Sequence, residues 1–301
     1  ILVQPASQAV LETHPATLHV TALGGPPLSY EWGKDGAGLP GGTTATLSIA
    51  HAASGDTGDY TVVVSNPFGA VTSAVARLTV RPAVFVGVFA DPAYVDTGGG
   101  FAAEADTVQA SLAQRGYVPR PFTNLNAALA GENVLLFPDF EVADPTPTFN
   151  QATRSALSNF VAQGRGMIVH GSGERAVNFL NSVFGCAVRR CHEPGPAYHR
   201  TAIAAATAFG EQAGAIPALS TVTPLRTDSL PAGSLPLYTN GAQTAVALLS
   251  WGRGAVVYLG WDWHDAAPLG TQDGGWLGLL GSAVQTGLPP PPEAGKANTS
   301  A

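Results

Sequence analysis

Lysine is almost missing from this chain: it occurs twice in 301 residues, at Lys34 and Lys296. Charged residues of all kinds make up 12%, about half the usual share for a soluble domain. The net charge is −7. Nucleic acids and acidic membranes need clustered Lys and Arg, so neither is expected as a partner. No apolar run reaches the roughly 18 residues that span a bilayer, so no membrane span is expected. Methionine occurs once, at Met167, and the chain opens on Ile1 inside a strand-like pattern. That start reads as a processed or excised fragment without a signal peptide, so its location has to be inferred.

Cysteine is nearly as scarce. Cys186 and Cys191 bracket the short stretch Gly185-Cys-Ala-Val-Arg-Arg-Cys191. A disulfide across this small loop is favoured, in an oxidising compartment, over two free thiols or a metal site. Zinc needs about four ligands, and His192 and His199 lie nearby without a recognised spacing. No metal and no cofactor is expected.

Glycine and proline, by contrast, are abundant, at 36 and 24 residues, and 45% of the chain is apolar. That composition suits a β-rich, loop-rich chain with a sizeable core, long enough for two domains. Over residues 1–82, short alternating segments are separated by turn signals. Thr17–Thr21, Leu28–Trp32, Ala45–Ile49, Tyr60–Ser65 and Ala74–Val80 alternate, with turns such as Gly24-Gly-Pro-Pro27 and Asn66-Pro-Phe-Gly69 among them. Regular short strands predict a β-sandwich. Asp56-Thr-Gly-Asp-Tyr60, with Trp32 upstream, resembles the tyrosine corner and core tryptophan of immunoglobulin domains. The resemblance covers residues 3–80. It places Val20 and Val62 where that family carries its paired cysteines, which implies a core closed by apolar packing without the bridge. It also implies a spacer or adhesive role.

From residue 83 the pattern changes. Val84–Ala90 is a nearly continuous apolar run, as expected of a strand covered on both faces. It is followed by a helical stripe of Phe101, Ala105, Val108 and Leu112, a short strand near 118–122, and the apolar run Asn133–Phe137. A helix is predicted from about Phe149 to Val161. Then comes Gly164-Arg-Gly-Met-Ile-Val-His-Gly-Ser-Gly-Glu174, a buried strand turning into a helix marked by Val177, Leu180 and Val183. The Ala-rich stretch 202–214 reads as helical. Ala245–Ser250 and Ala255–Leu259 read as a hairpin, and Trp276–Ala283 as a last helix. Alternating strands and helices predict a mainly parallel sheet. Residues 289–301, opening on Pro289-Pro-Pro-Pro292, read as a linker or disordered tail.

The first strand with its Asp91 turn, the Gly164–Gly171 stretch and Gly252-Arg-Gly-Ala-Val-Val-Tyr-Leu-Gly260 together resemble the class I glutamine amidotransferase-like superfamily. The nearest branch is that of trehalose-utilisation-like domains and secreted bacterial proteins. The resemblance covers about 200 residues. It implies a flavodoxin-like, three-layer α/β domain over 83–288 after an all-β immunoglobulin-like sandwich over 1–82. It also implies a Cys nucleophile on the strand-to-helix elbow, with a His and a Glu after a late strand. Here the elbow reads His170-Gly-Ser-Gly173, with no Cys, and the late strand ends in Trp261-Asp-Trp-His-Asp265.

A nucleophile needs a neighbouring base and an oriented partner. Ser172, His264 and Asp265 are the candidate catalytic set of a serine hydrolase or amidotransferase-like enzyme. The favoured reading has no catalysis: an extracellular or cell-surface module for binding, adhesion or assembly, a filament or sheath among its forms, with an inactive cleft. Asp91, Tyr94, Asp139, Glu141, His170, Glu174, Trp261, Asp262 and Trp263 follow predicted strand ends, so they are the candidate ligand-binding residues. Trp261, Trp263, Trp276 and Tyr94 would suit a carbohydrate cleft, the alternative being a core Trp276 with the others covering strand ends. As a metal-assisted set, Asp91, Asp139, Glu141 and His170 are less favoured than as solvated strand ends. Expected partners are other protein chains, cell-surface glycans, or further copies in a homo-oligomer.

Overall fold

The computed structural model describes residues 1–12, 14–98, 103–171, 173–192, 195–217, 221–264 and 266–288. The chain divides into two compact units, Ile1–Ala83 and Val84–Ala301. The tail assigned to 289–301 and the helical residue Phe101 lie outside the described residues.

The first unit is a sandwich of short strands. These are β1 (Gln8–Leu11), β2 (Ala16–His19), β3 (Ser29–Lys34), β4 (Ala37–Gly38), β5 (Thr46–Ile49), β6 (Gly58–Asn66), β7 (Gly69–Thr72) and β8 (Ala76–Arg81). One sheet runs β1-β8-β6-β3-β4, with β7 also on β6, and the other pairs β2 with β5. The period-2 pattern of β6 turns Tyr60, Val62 and Val64 inward. They meet Trp32, Val20 and Leu78 in a core without a buried charge. The Tyr60 hydroxyl donates to the Asp56 carbonyl at 2.8 Å, which is the tyrosine corner. Trp32 is fully buried and its Nε1 donates to the Thr44 carbonyl. Val20 and Val62 are both fully buried, so two apolar side chains occupy the place of a cross-link.

The second unit is built on a ten-stranded sheet. Its parallel part consists of β9 (Phe85–Phe89), β10 (Val118–Phe122), β11 (Val134–Phe137), β12 (Gly166–His170) and β18 (Gly254–Leu259). They lie side by side as β10-β9-β11-β12-β18. Counted in chain order, that is 2-1-3-4-5. Successive strand residues face opposite helical layers. Leu136, Ile168 and Val257 pack with α1 (Glu104–Gln114) and α5 (Trp276–Gly287). Leu135, Phe137, Met167, Val169 and Tyr258 pack with α2 (Leu125–Gly131), α3 (Gln151–Ala162) and α4 (Glu174–Phe184). Asn124 and Asn150 cap α2 and α3 through side-chain bonds to the first-turn amides. At Gly166 an added Cβ would lie 2.1 Å from the Gly287 Cα, so only glycine lets α5 lie this close to β12.

The sheet is mixed rather than mainly parallel. β13 (Tyr198–Arg200), β14 (Ala215–Ile216), β15 (Leu225–Arg226), β16 (Leu235–Thr239) and β17 (Gln243–Trp251) all join antiparallel to their neighbours. A parallel return needs a crossover of a dozen or more residues, usually a helix. Residues 202–214 do not supply one. The helix expected there is a single 3-10 turn, Ala204–Ala206. The Thr201 hydroxyl accepts from the Ala204 amide and the Thr207 hydroxyl donates to the Ala204 carbonyl, and Gly210 and Gly214 follow. Those local bonds compete with helix propagation.

Candidate functional site

The carboxyl ends of β9, β11, β12 and β18 all open on one edge of the parallel sheet, the edge where open α/β sheets hold ligands. β11 continues into Pro138-Asp-Phe-Glu141, β12 ends on His170, and β18 leads into Trp261-Asp-Trp-His264.

Glu104, in the first turn of α1, is the centre of this edge, and no sequence reading singled it out. It is fully buried. Its Oε2 accepts from the Asp139 amide at 2.9 Å and its Oε1 accepts from the Trp263 amide at 3.4 Å. The same Oε1 lies 3.3 Å from His170 Nδ1. One carboxyl group thus ties the ends of three strands to a helix. The signal was present: Glu104 shares its helical face with Val108, Ser111 and Leu112, four, seven and eight residues on. A carboxyl on an apolar stripe is a buried group that needs partners.

Glu104, Glu141 and Asp262 each bring one carboxylate oxygen within 4.8 Å of the other two. Burial holds the Glu104 carboxyl well above its ordinary range, helped by the nearby Asp139 and Asp262. Burial, then Asp262 and Asp139, pushes Glu141 up to about 7. Asp262 is raised as well, chiefly by burial. His170 has the opposite shift. Burial pushes its pKa down to about 3, so the imidazole is neutral at physiological pH. The three oxygens are close enough to share a cation, while both Glu104 oxygens already accept from backbone amides.

The nine candidate ligand residues separate into distinct places. Asp139, Glu141, His170, Asp262 and Trp263 gather around Glu104. Asp91 and Tyr94 line a cavity of about 540 Å³ with Asn124, Asn126 and Thr148. There the Tyr94 hydroxyl bonds Thr148 Oγ1 at 2.9 Å, and Asp91 accepts from the Ala93 amide. Glu174 is exposed on α4 and pairs with Arg190.

The carbohydrate platform is corrected by burial. Trp261, Trp263 and His170 are all 0% exposed. Trp263 stacks on His170 at 4.3 Å between centroids, and its Nε1 donates to Ser111 Oγ. Trp261 stacks on Trp276 at 5.5 Å. Their faces cover one another as core, which leaves none for a sugar.

Of the catalytic set, Ser172 and Asp265 lie outside the described residues. His264 is exposed, and its amide donates to Asp262 Oδ1 at 2.9 Å. Gly171 and Gly173 do stand between β12 and α4, at a strand-to-helix bend. A Cβ on Gly171 would meet the Tyr258 hydroxyl at 2.6 Å.

The disulfide is not formed: Cys186 and Cys191 are free thiols. The segment between them is anchored away from a closed loop. Asn181 holds Val188 through both its amide and carbonyl, and the Cys191 amide bonds the Pro224 carbonyl. Cys186 therefore packs against the α3–α4 side of the core, while Cys191 lines an open pocket with Arg226 and Gln243.

Residues 1–66 match the family model of the immunoglobulin domain. Over 81 residues the chain is 40% identical to the decoration protein of Escherichia phage T5, covering 26% of this chain and 49% of that protein. The chain thus spans about half the length of this curated relative. Among solved structures it is similar to tandem Ig repeats of Dlar, at 22% identity over 27% of this chain and 45% of that one, with a TM-score of 0.26. Sidekick-1 immunoglobulin domains 1–5 match at 24% identity over 29% of this chain and 20% of that one, TM-score 0.24. An Ig chain from the Titin M10–Obscurin like 1 complex matches at 28% identity over 27% of this chain and 91% of that one, TM-score 0.25. The N-terminal part of the chain is therefore an immunoglobulin-like domain.

Proposed function

We propose that this chain is a non-catalytic module for binding and assembly, acting outside the cell or on the surface of a cell or particle. One apolar patch on the immunoglobulin-like unit carries the reading. Leu23, Phe68 and Val71 are 81%, 89% and 48% exposed. All three line one shallow pocket of about 290 Å³, together with Ile1, Leu28 and Val64. A contiguous exposed apolar patch marks a protein interaction site. The likeness to a phage decoration protein supports an assembly role, and the partner is another protein chain, further copies of this one included.

The second unit is, in this reading, an amidotransferase-like, flavodoxin-like scaffold of a secreted bacterial protein, spanning 83–288 and followed by a linker. The parallel order 2-1-3-4-5 supports it, as does the bend at Gly171–Gly173. The family's thiol nucleophile is missing there, and His170 just before the bend is buried and neutral. A polar small-molecule or glycan ligand is the second reading, favoured by the cavity beside Asp91 and Tyr94.

Sedimentation velocity of the full chain tests the assembly role. Concentration-dependent association is expected, and Phe68→Asp should remove it while leaving the circular-dichroism spectrum unchanged. A strictly monomeric wild type at high concentration would overturn self-assembly. On a panel of esters and amides no turnover is expected. Turnover that disappears in both Ser172→Ala and His264→Ala would establish a hydrolase instead.

A further inference from the structure

We propose that Glu104, Glu141 and Asp262 form a proton-operated latch at the carboxyl edge of the parallel strands. It is closed while the cluster shares protons and loosened once they leave. The geometry favours the protons. Three carboxyl groups with oxygens within 4.8 Å of one another, one of them fully buried, repel one another when all are ionised, so the cluster gains by keeping a proton.

Among the described residues, the groups facing the cluster offset only part of that charge. Asp96, from the segment after β9, and Asp139, after β11, are acidic and push in the same direction. His170, at the end of β12, is buried and neutral. Arg175, on α4, donates to the Phe140 and Glu141 carbonyls. His264, after β18, is exposed. It eases Glu141 and Asp262, yet both carboxyls remain raised.

Glu104 couples the cluster to the backbone. It accepts the amides of Asp139 and Trp263, so the charge of the cluster governs how firmly α1 holds the segments after β11 and β18. The sign follows from linkage. In the closed form Glu141 titrates near 7, and Glu104 and Asp262 are raised too; in an opened form they return to ordinary carboxylate values. The closed form therefore binds more protons than the open one. Its advantage is complete below the ordinary carboxylate range and is lost as pH rises through about 7, where Glu141 titrates.

Hydrogen exchange of the full chain tests this, at a series of pH values from 5 to 8.5 in the presence of a chelator, with intrinsic exchange rates divided out. The opening constants of the Asp139 and Trp263 amides should rise between pH 5 and 7, by up to about tenfold per pH unit for each proton the cluster gives up on opening. The β6 amides of the immunoglobulin-like unit should stay constant. Glu141→Gln, at the rim of the cluster, should flatten the rise, and so should Glu104→Gln, whatever its cost in overall stability. A flat wild-type profile would overturn the latch. So would a rise equally steep in both variants, or one shared by β6.

Discussion

The two units bury their polar groups in opposite ways. The immunoglobulin-like unit closes its core on Trp32, Tyr60 and aliphatic residues, and the tyrosine hydroxyl reaches a backbone carbonyl nearby in sequence. Among the described residues its buried polar groups carry no charge. The α/β unit places a carboxyl and an imidazole, 66 residues apart in sequence, side by side with no exposure. Its sheet edge is held by a group whose charge state matters. The first arrangement should respond to the loss of volume and hardly to pH. The second should respond to the loss of a hydrogen-bonding oxygen and to pH as well.

The largest effect that sharpens this contrast is Trp32→Ala. It should destabilise the first unit by about 3–5 kcal/mol, read as a lower midpoint in chemical denaturation. Next comes Glu104→Ala, which strands the Asp139 and Trp263 amides in buried surroundings and should destabilise the second unit by about 2–4 kcal/mol. The same measurement on Glu104→Gln should recover only part of that loss, since its single amide oxygen replaces one of the two accepting oxygens and its NH2 faces the other backbone amide. Equal losses in the two variants would mean that Glu104 acts by volume alone, and the contrast between the units would collapse. Tyr60→Phe should lower stability by about 1 kcal/mol, the worth of its one hydroxyl bond, with no pH dependence between 5 and 8. Phe68→Ser, at an exposed site, should change stability by less than about 0.5 kcal/mol. A larger loss there would mean that Phe68 supports the fold rather than a docking surface.

Much of the architecture was legible. Period-2 stretches such as Tyr60–Ser65 became strands with alternate residues inward, and the apolar runs at 84–90 and 133–137 became strands covered on both faces. The helices near 149–161 and 276–283 appear at α3 and α5. The candidate site was legible only as a location. Strand ends do bring Asp139, Glu141, His170 and Asp262 near one another, but Trp261, Trp263 and His170 turned inward, and Glu104 arrived from a helix whose own start falls after a glycine run. Alternation also says nothing about strand direction. The antiparallel half of the sheet followed from the failure of 202–214 to form a crossover helix.

The sequence by itself determined the local elements, the apolar stripes and the tyrosine corner, because these depend on neighbours a few residues apart. Only the tertiary structure decided that three carboxyl groups converge, that two cysteines five positions apart face different surroundings, and that the tryptophans after β18 cover one another. Those outcomes rest on packing between distant segments, and the free energy of a buried charge depends on everything that surrounds it in space.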